Sequence, residues 1–525
     1  MDLKASEQIG QALSQCVRGQ VLWDDKTLNR YAIDQSLYEI RPLAVVFPQD
    51  IEDVVNTVRF ARDEGIPLTP RGGGSSTSGS ALGRGIILSL NKNGPMNRIL
   101  DFTEVSGEPQ IAVEPGLLHD DMQHYLRERG LYLPADPSSG SISMLGGNIA
   151  TKASGPHAFK HGSIDRYLRH VQFVTVEGEM VDTSDECSIP ARIREGILAL
   201  RSDILADEIT VKRLEARKNM KLASGYNLFT FVRHQQLGEI TAQLLVGSVG
   251  TLGIVTRATL RAEPYVEGKA ALLLYFRRLY DAGEMVQHIR ALGVAAIEII
   301  NHSSILVIKE RNPDLELPTD EGHMLMIESE GPERHEQIAQ VEKIVHEQHY
   351  DLVWPPQTIE GDDEQARLWK VRKALLPTLR NYRPDRKALS VVNDVGVDES
   401  HLADFISDLE AIFARHNLVA AIYGHAGSGN LHLRPLFDVT DPNLPALLTQ
   451  VADEVYEAVF RYDGTITAEH GMGRLRTRYL AREWGGTIMG YMRRVKDIFD
   501  PADLLNPEVM FSNRALTDDM KPAYT

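Results

Sequence analysis

Cysteine is nearly absent from this sequence, whose 525 residues include only Cys16 and Cys187. Two thiols cannot supply a disulfide framework, a structural zinc site or an iron–sulfur cluster held by this chain alone. Any metal ion must therefore be held by histidine and carboxylate side chains. We interpret both cysteines as small apolar residues that fill space in the interior.

Long apolar runs are also missing. No stretch approaches the roughly 18 residues of a membrane-spanning helix, and the N-terminus lacks the apolar block of a secretory signal. The formal net charge of -17 disfavours nucleic acid and anionic lipid as partners, and no basic stripe offsets it. We therefore expect a cytoplasmic protein with no transmembrane segment and no nucleic-acid partner.

The composition that remains is that of an ordinary globular protein, with 43% hydrophobic and 25% charged residues. A chain of this length favours two large domains, each with its own core. A cluster of proline and charged residues at 261–269 is the candidate boundary. It divides the chain into residues 1–264 and 265–525.

Both halves combine helix and strand patterns, which predicts an α+β fold. Apolar residues at helical spacing predict a helix over 51–65 with Asp50 as its N-cap, and residues 171–182 predict a hairpin. In the second half strand-like segments alternate with amphipathic helices, and residues 388–397 are one of the predicted strands. This alternation favours an antiparallel sheet covered by helices on one face.

A glycine-rich loop, at 70–79, lies between two predicted strands. Consecutive glycines permit positive φ angles that turn backbone N–H groups inward, and small hydroxyls add donors, so the loop can cradle a pyrophosphate. A flexible solvent loop is an equally simple interpretation of this stretch alone. The loop is neither a Walker loop nor a dinucleotide fingerprint, because no Gly-Lys-Ser/Thr follows and no helix begins at its third glycine.

Three further stretches of small residues follow in the same half, at 134–139, 145–155 and 247–256. In order and spacing, the four motifs resemble the FAD-binding domain of the vanillyl-alcohol oxidase superfamily, the PCMH type. The resemblance covers about residues 41–262 and implies an α/β flavin domain with the FAD pyrophosphate on the glycine loop. The cofactor-binding residues that it implies are Arg71, Gly72, Gly73, Gly74, Ser75, Ser76, Ser78, Gly79, Pro134, Asp136, Ser138, Gly146, Gly147, Asn148, Ala150, Ser154, Gly155, Gly250, Gly253, Ile254 and Asn506.

The resemblance also bears on how FAD is attached. Members of the superfamily that tether FAD covalently often carry a histidine in or beside the glycine loop. This chain has Ser75 and Ser76 there, which implies non-covalent FAD.

The second half contains a histidine pair and a Glu-His-Gly motif. His425 and His432 stand seven residues apart in the segment GHAGSGNLH, and Glu469 and His470 follow in TAEHGMG. Two histidines and a glutamate are a familiar ligand set for a divalent metal, and they suit zinc or manganese better than calcium. Each histidine taken singly is more often structural.

Together these motifs resemble the C-terminal oxidase domain of the D-lactate, glycolate and D-2-hydroxyglutarate dehydrogenases. The resemblance implies that His425, His432 and Glu469 bind the metal and that His470 is the catalytic base. A 2-hydroxy acid that chelates the metal has a lowered hydroxyl pKa and a Cα–H directed at the flavin. His470 suits the hydroxyl proton, while the hydride passes to the flavin.

The same resemblance assigns Arg372 to the substrate carboxylate, which its fork can bind at two points, and implies that residues 500–507 return to the flavin. Two positions depart from the group's usual pattern. Ser428 replaces a common aspartate that can orient a ligand or the loop. Arg434 replaces a smaller polar residue of the hydroxyglutarate enzymes, and we interpret it as a strand-end charge rather than as a group that binds a second carboxylate.

Three functions stay open at this point. The first is an FAD- and metal-dependent D-2-hydroxy-acid dehydrogenase. The second is a non-redox flavin transferase similar to the ether-lipid synthases of the superfamily. The third is a non-catalytic electron-transfer subunit, which the presence of all the metal and base residues disfavours.

Larger relatives continue into an iron–sulfur region, which favours a separate electron-accepting partner, an iron–sulfur subunit or another protein. Such a partner would place the chain at the membrane periphery. The sequence leaves the acid, the acceptor and the oligomeric state open.

Overall fold

The computed structural model describes residues 3–311, 322–380 and 382–524. Its strands form a four-stranded, a five-stranded and an eight-stranded sheet, with one further two-stranded pair. No helix within these residues has the length and apolar character needed to cross a membrane.

The first half contains the four-stranded sheet, the five-stranded sheet and the two-stranded pair. Their strands are β1 (Gln20–Leu22), β2 (Ala44–Phe47), β3 (Leu68–Arg71), β4 (Ile86–Ser89), β5 (Ile99–Val105), β6 (Glu108–Val113), β7 (Leu131–Tyr132), β8 (Leu168–Val174), β9 (Met180–Asp182), β10 (Ile254–Arg261) and β11 (Glu263–Pro264). The four-stranded sheet has the order β1-β2-β4-β3, the five-stranded sheet has the order β5-β6-β10-β8-β9, and β11 pairs with β7.

Ten helices pack around these sheets within the described residues. They are α1 (Leu3–Cys16), α2 (Asp25–Tyr31), α3 (Ile51–Asp63), α4 (His119–Arg127), α5 (Leu145–Thr151), α6 (Ala158–His161), α7 (Ala191–Ala206), α8 (Glu208–Ala216), α9 (Thr230–Arg233) and α10 (Leu237–Leu245).

The second half is built on the eight-stranded antiparallel sheet. Its strands are β12 (Lys269–Phe276), β13 (Ala296–Ile300), β14 (His323–Glu330), β15 (Leu352–Glu360), β16 (Arg386–Ala388), β17 (Val395–Gly396), β18 (Ala420–His425) and β19 (Asn430–Asp438). The order is β15-β12-β14-β13-β18-β19-β16, with β17 also beside β19. The helices are α11 (Leu279–Ile289), α12 (His302–Arg311), α13 (Arg334–Glu347), α14 (Asp362–Arg380), α15 (Leu402–Arg415), α16 (Leu444–Arg461) and α17 (Thr477–Phe499).

The predicted helix over 51–65 is confirmed as α3. The Asp50 side chain accepts a hydrogen bond from the Asp53 backbone N–H, which caps the helix as its residue type predicts. Val54 and Val58 are completely buried, as expected for the apolar face of an amphipathic helix. The predicted hairpin at 171–182 is also confirmed, because β8 and β9 pair antiparallel.

The prediction of helices on one face of the second sheet is wrong. Leu272 and Leu274 of β12 belong to one core cluster, with residues of α11 and α15, whereas Leu273 and Tyr275 belong to another, with residues of α12 and α14. Alternate side chains of a strand point to opposite faces, so both faces are covered. The apolar run KAALLLYF has the unbroken pattern of a strand that is buried on both sides.

The predicted strand over 388–397 is also wrong for most of its length. Only Ala388 lies in β16 and only Val395–Gly396 lies in β17. Between them, Asn393 and Asp394 are fully buried. Their side chains bond to residues of other segments rather than facing a solvated side of the sheet, and those bonds replace part of the strand pairing.

The interpretation of the two cysteines as interior residues is a third error. Cys16 and Cys187 are both exposed. Cys16 is the last residue of α1, and Cys187 lies in a short 3₁₀ turn after β9. Residue type alone favoured burial, but a helix end and a surface turn place both side chains at solvent.

Candidate active site

A cavity of about 640 Å³ is lined by residues from both halves of the chain, and its volume is typical of a site for a small molecule or cofactor. The predicted cofactor residues that line it are Arg71, Gly72, Gly73, Gly74, Ser75, Ser76, Ser138, Gly146, Gly147, Asn148, Ala150, Ser154, Gly250 and Gly253. From the second half, Arg372, Tyr423, His432, Arg434, Glu469 and His470 face the same space.

The other predicted cofactor residues lie outside this lining, namely Ser78, Gly79, Pro134, Asp136, Gly155, Ile254 and Asn506. Two of them have clear contacts elsewhere. Asp136 Oδ2 lies 2.8 Å from Nδ1 of His157. Burial lowers the pKa of His157, but the carboxylates of Asp136 and Glu328 outweigh this effect and raise it to about 10. The Asn506 amide donates to the carbonyls of Ser80 and Val249 and so attaches the segment around Asn506 to the first half of the chain, next to the glycine loop.

The glycine loop follows β3 and is packed so closely that side chains would not fit. A β-carbon at Gly73 would overlap the backbone carbonyl oxygen of Ile142, and Gly74 has a φ of +68°. Arg71, which is mostly buried, donates from Nη1 to the Tyr31 carbonyl and from Nη2 to the Ile33 carbonyl. It therefore anchors the base of the loop while lining the cavity.

The two histidines are brought together by the pairing of β18 with β19. Gly429 has a φ of +63° and ends the tight turn between the strands, which only glycine adopts readily. Nε2 of His425 lies 3.4 Å from Nε2 of His432, and Glu469 Oε1 lies 3.2 Å from the first and 3.3 Å from the second. Ligand atoms bound tetrahedrally at about 2.0–2.1 Å would be about 3.3–3.4 Å apart. The donor set and its spacing therefore fit a divalent ion such as zinc.

Glu298, which the sequence did not single out, connects two functional residues. It is fully buried on β13, where it stands opposite His425 in the strand register. His425 Nδ1 lies 2.5 Å from Glu298 Oε1, and Arg372 Nε donates to Oε2 at 2.8 Å. A carboxylate on the outer nitrogen of a metal-binding histidine fixes the ring so that the other nitrogen faces the metal. A lone glutamate inside the apolar run AAIEII was the available signal.

Lys221 is a second residue that the sequence did not reveal. Its ammonium donates to Glu469 Oε2 at 2.6 Å, and the Ser154 hydroxyl donates to the same oxygen at 3.1 Å. Burial opposes ionisation of Glu469, but Lys221 and His425 hold the pKa of this carboxyl well below its usual range. Glu469 therefore keeps Oε1 for the histidines while Oε2 is bound to the protein.

Asp394 orients the loop that carries Glu469 and His470. Its Oδ2 accepts hydrogen bonds from the backbone N–H groups of Ala468, Glu469 and His470 at 2.8–3.1 Å. Burial favours the uncharged form of Asp394, but the His470 ring and the Arg476 guanidinium hold its pKa well below its usual range. A charged carboxylate that binds three successive N–H groups leaves the loop little freedom.

His470 lies between Asp394 and the predicted metal ligands. Its ring stacks on that of His432, with centroids 5.2 Å apart and an interplanar angle of 21°. Nε2 of His470 is 3.6 Å from Glu469 Oε1, and Nδ1 is 3.6 Å from Asp394 Oδ2. Burial lowers the pKa of His470 to about 4, so the ring is neutral near pH 7 and has a lone pair available for a proton.

Arg434 is not a strand-end charge, and that interpretation is wrong. It lies in the interior of β19, is 1% exposed and faces the cavity together with His432. Its Nη1 donates to the Ser390 hydroxyl oxygen at 2.6 Å. The strand continues to Asp438, four residues beyond Arg434, so this side chain is held in the interior.

Two family profiles match the sequence of this chain. The one described as "FAD binding domain" matches residues 42–184, and the one described as "FAD linked oxidases, C-terminal domain" matches residues 267–510. The chain therefore combines an FAD binding domain with the C-terminal domain of FAD-linked oxidases. The first profile includes the glycine loop and the second includes every predicted metal ligand.

Curated relatives of this chain have related names. Glycolate oxidase subunit GlcD of Bacillus subtilis is 28% identical, and the match covers 95% of this chain and 96% of the relative. D-lactate dehydrogenase [cytochrome] of Arabidopsis thaliana is 28% identical over 89% of this chain and 73% of the relative. D-2-hydroxyglutarate dehydrogenase of Haemophilus influenzae is 28% identical over 91% of this chain, which spans 48% of that protein. This chain is thus a flavin-linked oxidoreductase that spans about half the length of some relatives.

Two solved structures share the fold of this chain. An alkyldihydroxyacetonephosphate synthase has a TM-score of 0.65 at 17% identity, covering 95% of this chain and 84% of its own. A 4-ethylphenol oxidase from Gulosibacter chungangensis has a TM-score of 0.69 at 18% identity, covering 97% and 98%. At these identities the likeness establishes the architecture and leaves the reaction to the site residues.

Proposed function

We propose that this protein dehydrogenates a D-2-hydroxy acid of the lactate, glycolate or 2-hydroxyglutarate type to the 2-oxo acid. The observation that carries the proposal is one end of the cavity, where a histidine–histidine–glutamate cluster meets His470 and Arg372. A 2-hydroxy acid needs this set of groups: an ion to chelate it, a base for its hydroxyl and a cation for its carboxylate. The names of the relatives agree with this substrate class.

In the proposed site each protein group has one task. His425, His432 and Glu469 would hold a divalent ion, which would supply a Lewis acid for the hydroxyl, and bound FAD would supply the acceptor of the hydride. Arg372 donates from Nε to Glu298, and its Cζ lies 4.8 Å from the centroid of the Tyr423 ring. Its remaining N–H groups bind the substrate carboxylate.

His470 takes the hydroxyl proton, and Asp394 holds the backbone that positions it. The Cα hydrogen leaves as a hydride with the electron pair of the Cα–H bond, and the pair that the departing hydroxyl proton leaves on oxygen becomes the second bond of the 2-oxo group. Substrate carboxylate and developing carbonyl are thus held by separate groups of the chain.

Anaerobic reduction of the flavin tests this function directly. The purified protein is mixed with a panel of D- and L-2-hydroxy acids in the absence of oxygen, and the loss of flavin absorbance is followed. Bleaching by D acids and not by their L enantiomers supports the proposal. A flavin that stays oxidised with every acid, in protein of full FAD and metal content, contradicts it and favours a non-redox transferase.

Non-covalent FAD is part of the proposal, because Ser75 and Ser76 line the cavity where a tethering histidine would stand. Acid precipitation is expected to release the flavin as free FAD, which fluorescence of the supernatant and chromatography would show. Flavin that stays in the protein pellet would contradict it.

We further propose that residues 1–264 supply most FAD contacts and residues 265–525 the substrate and metal contacts.

Removal of the metal is expected to suppress flavin reduction, and zinc or manganese is expected to restore it. His425→Ala and His432→Ala should each abolish stoichiometric metal binding, because each removes one of three ligands. Glu298→Gln keeps the ligands but loses the charge that orients His425, and we expect its metal affinity to fall about 10-fold to 100-fold. Metal content by mass spectrometry after dialysis measures all three variants.

The control for the metal experiment is His335→Ala, which removes an exposed histidine on α13. Its metal content and melting temperature should equal those of the wild type. Unchanged turnover in metal-free wild-type protein would remove the metal from the proposal. The serine at position 428 makes this test informative, because related enzymes commonly have a carboxylate there.

The electrons taken from the substrate must leave the flavin. We propose an electron-accepting partner, an iron–sulfur protein or another, because the two cysteines of this chain cannot hold a cluster. Reoxidation of the reduced protein by candidate acceptors is the measurement that would identify it.

A further inference from the structure

Arg434 is a buried cation whose hydrogen-bonding capacity is largely unused. Its Nε has no hydrogen-bond partner, and no carboxylate of the described chain lies within ion-pair distance of its guanidinium. Among the residues that the structure describes, its one hydrogen-bond partner is the Ser390 hydroxyl. Buried charges in proteins are normally paired, because an unpaired charge that has lost its hydration is strongly destabilising.

Other buried arginines of this chain show the usual solution. Arg217 is paired with Glu483 at 2.9 Å, and Arg372 is paired with Glu298 at 2.7 Å. Arg476 has three oxygen acceptors, the carbonyls of Ile466 and Gly471 and the amide oxygen of Asn393. Arg434 differs from all three, since it combines deep burial, a cavity wall and a single neutral partner.

The position of Arg434 suits an anion that is part of the substrate. It follows His432 by two residues on β19, so both side chains project from the same face, about 7 Å apart along the strand. Both line the cavity with Arg372, which is on α14. A molecule that reaches the metal cluster and Arg372 with its 2-hydroxy acid end can therefore extend its other end toward Arg434.

We infer that Arg434, held in place by Ser390, forms a second anion-binding subsite in the cavity wall, so that the substrate is a 2-hydroxy acid with a second carboxylate at the other end of its chain. This inference rests on the proposed function and narrows it from 2-hydroxy acids to 2-hydroxy diacids. The second carboxylate accepts from the guanidinium N–H groups that Ser390 leaves free, while the Ser390 hydroxyl oxygen accepts from Nη1 and holds the side chain in place. It supplies the countercharge that the described protein lacks at this point.

A matched pair of substrates tests the subsite. D-2-Hydroxyglutarate and D-2-hydroxyvalerate have the same number of carbons and differ in the end group, a carboxylate or a methyl. The wild type should reduce its flavin with a kcat/KM that is at least about 10-fold higher for the diacid, because a charged hydrogen-bonded pair forms only with it. Arg434→Gln should reduce this ratio to near one, and Arg434→Lys should restore part of it.

Binding without turnover gives a second readout. The dissociation constants of 2-oxoglutarate and 2-oxovalerate, measured from the change in flavin absorbance, should show the same preference in the wild type and lose it in Arg434→Gln. Lys387→Gln is the control, because it removes a nearby cation that lines a neighbouring smaller cavity rather than this one. The preference should survive in that variant.

Each outcome decides the inference. A wild-type ratio near one, or equal losses for both acids in Arg434→Gln, would overturn it. Loss of FAD from Arg434→Gln at an unchanged ratio would overturn it too and assign the arginine to the flavin. If no 2-hydroxy acid reduces the flavin, the proposed function itself fails, whereas reduction by monoacids and diacids alike removes only the second subsite.

Discussion

Replacement of His470 by asparagine is expected to slow flavin reduction by about 100-fold to 10,000-fold, the usual effect of losing a positioned general base. The asparagine amide fills similar space but cannot take a proton near neutral pH. Asp394 accepts a hydrogen bond from the backbone N–H of residue 470, which the substitution keeps, so the loop should stay in place. The FAD and metal contents of the variant should therefore stay close to those of the wild type.

Stopped-flow reduction, expressed per bound flavin, separates chemistry from folding. If His470 only packs against the His432 ring, the variant should have lower FAD or metal occupancy and a normal rate in the molecules that stay loaded. A rate within a few-fold of wild type would thus remove His470 from the mechanism. His335→Asn, at an exposed site on α13, is the control and should leave the rate unchanged.

The substitution Gly73→Val is expected to abolish FAD binding. The added β-carbon would overlap the carbonyl oxygen of Ile142, which is backbone and cannot move aside as a side chain can. Either the glycine loop or the segment around Ile142 must shift, and both line the cavity. We expect purified Gly73→Val protein to contain less than about a tenth of the wild-type FAD, since a β-branched residue also restricts the backbone.

The absorbance ratio of flavin to protein, before and after incubation with excess FAD, measures this loss. Gly486→Val is the matched control, because the glycine is exposed and an added β-carbon there would meet no atom within 4 Å. It should keep full FAD content. A Gly73→Val protein that also kept full flavin content would show that this loop does not bind the cofactor.

The sequence alone identified features that depend on neighbouring residues. The spacing of valines with Asp50 before them predicted α3 and its cap, because helix periodicity and capping act within a few residues. The four small-residue motifs and the glycine-flanked histidines were recognisable for a similar reason. His425 and His432 meet because a short glycine turn pairs two consecutive strands, which is a local event.

The tertiary structure alone decided which distant groups reach that local motif. Glu298 meets His425 through the β13–β18 register, a contact between residues 127 positions apart. Lys221 reaches Glu469 from the first half of the chain, and Asp394 reaches the same loop from a segment that the sequence predicted as a strand.

Burial is the other quantity that only the tertiary structure decided. Apolar alternation did not show that helices cover both faces of the second sheet, nor that Arg434 is enclosed there beside the cavity. The cost of enclosing a charge depends on every segment packed around it, and strand register and helix packing set those neighbours. For this protein the sequence therefore determined the chemical groups and their local geometry, whereas the fold determined which of them are buried, paired and left free for a ligand.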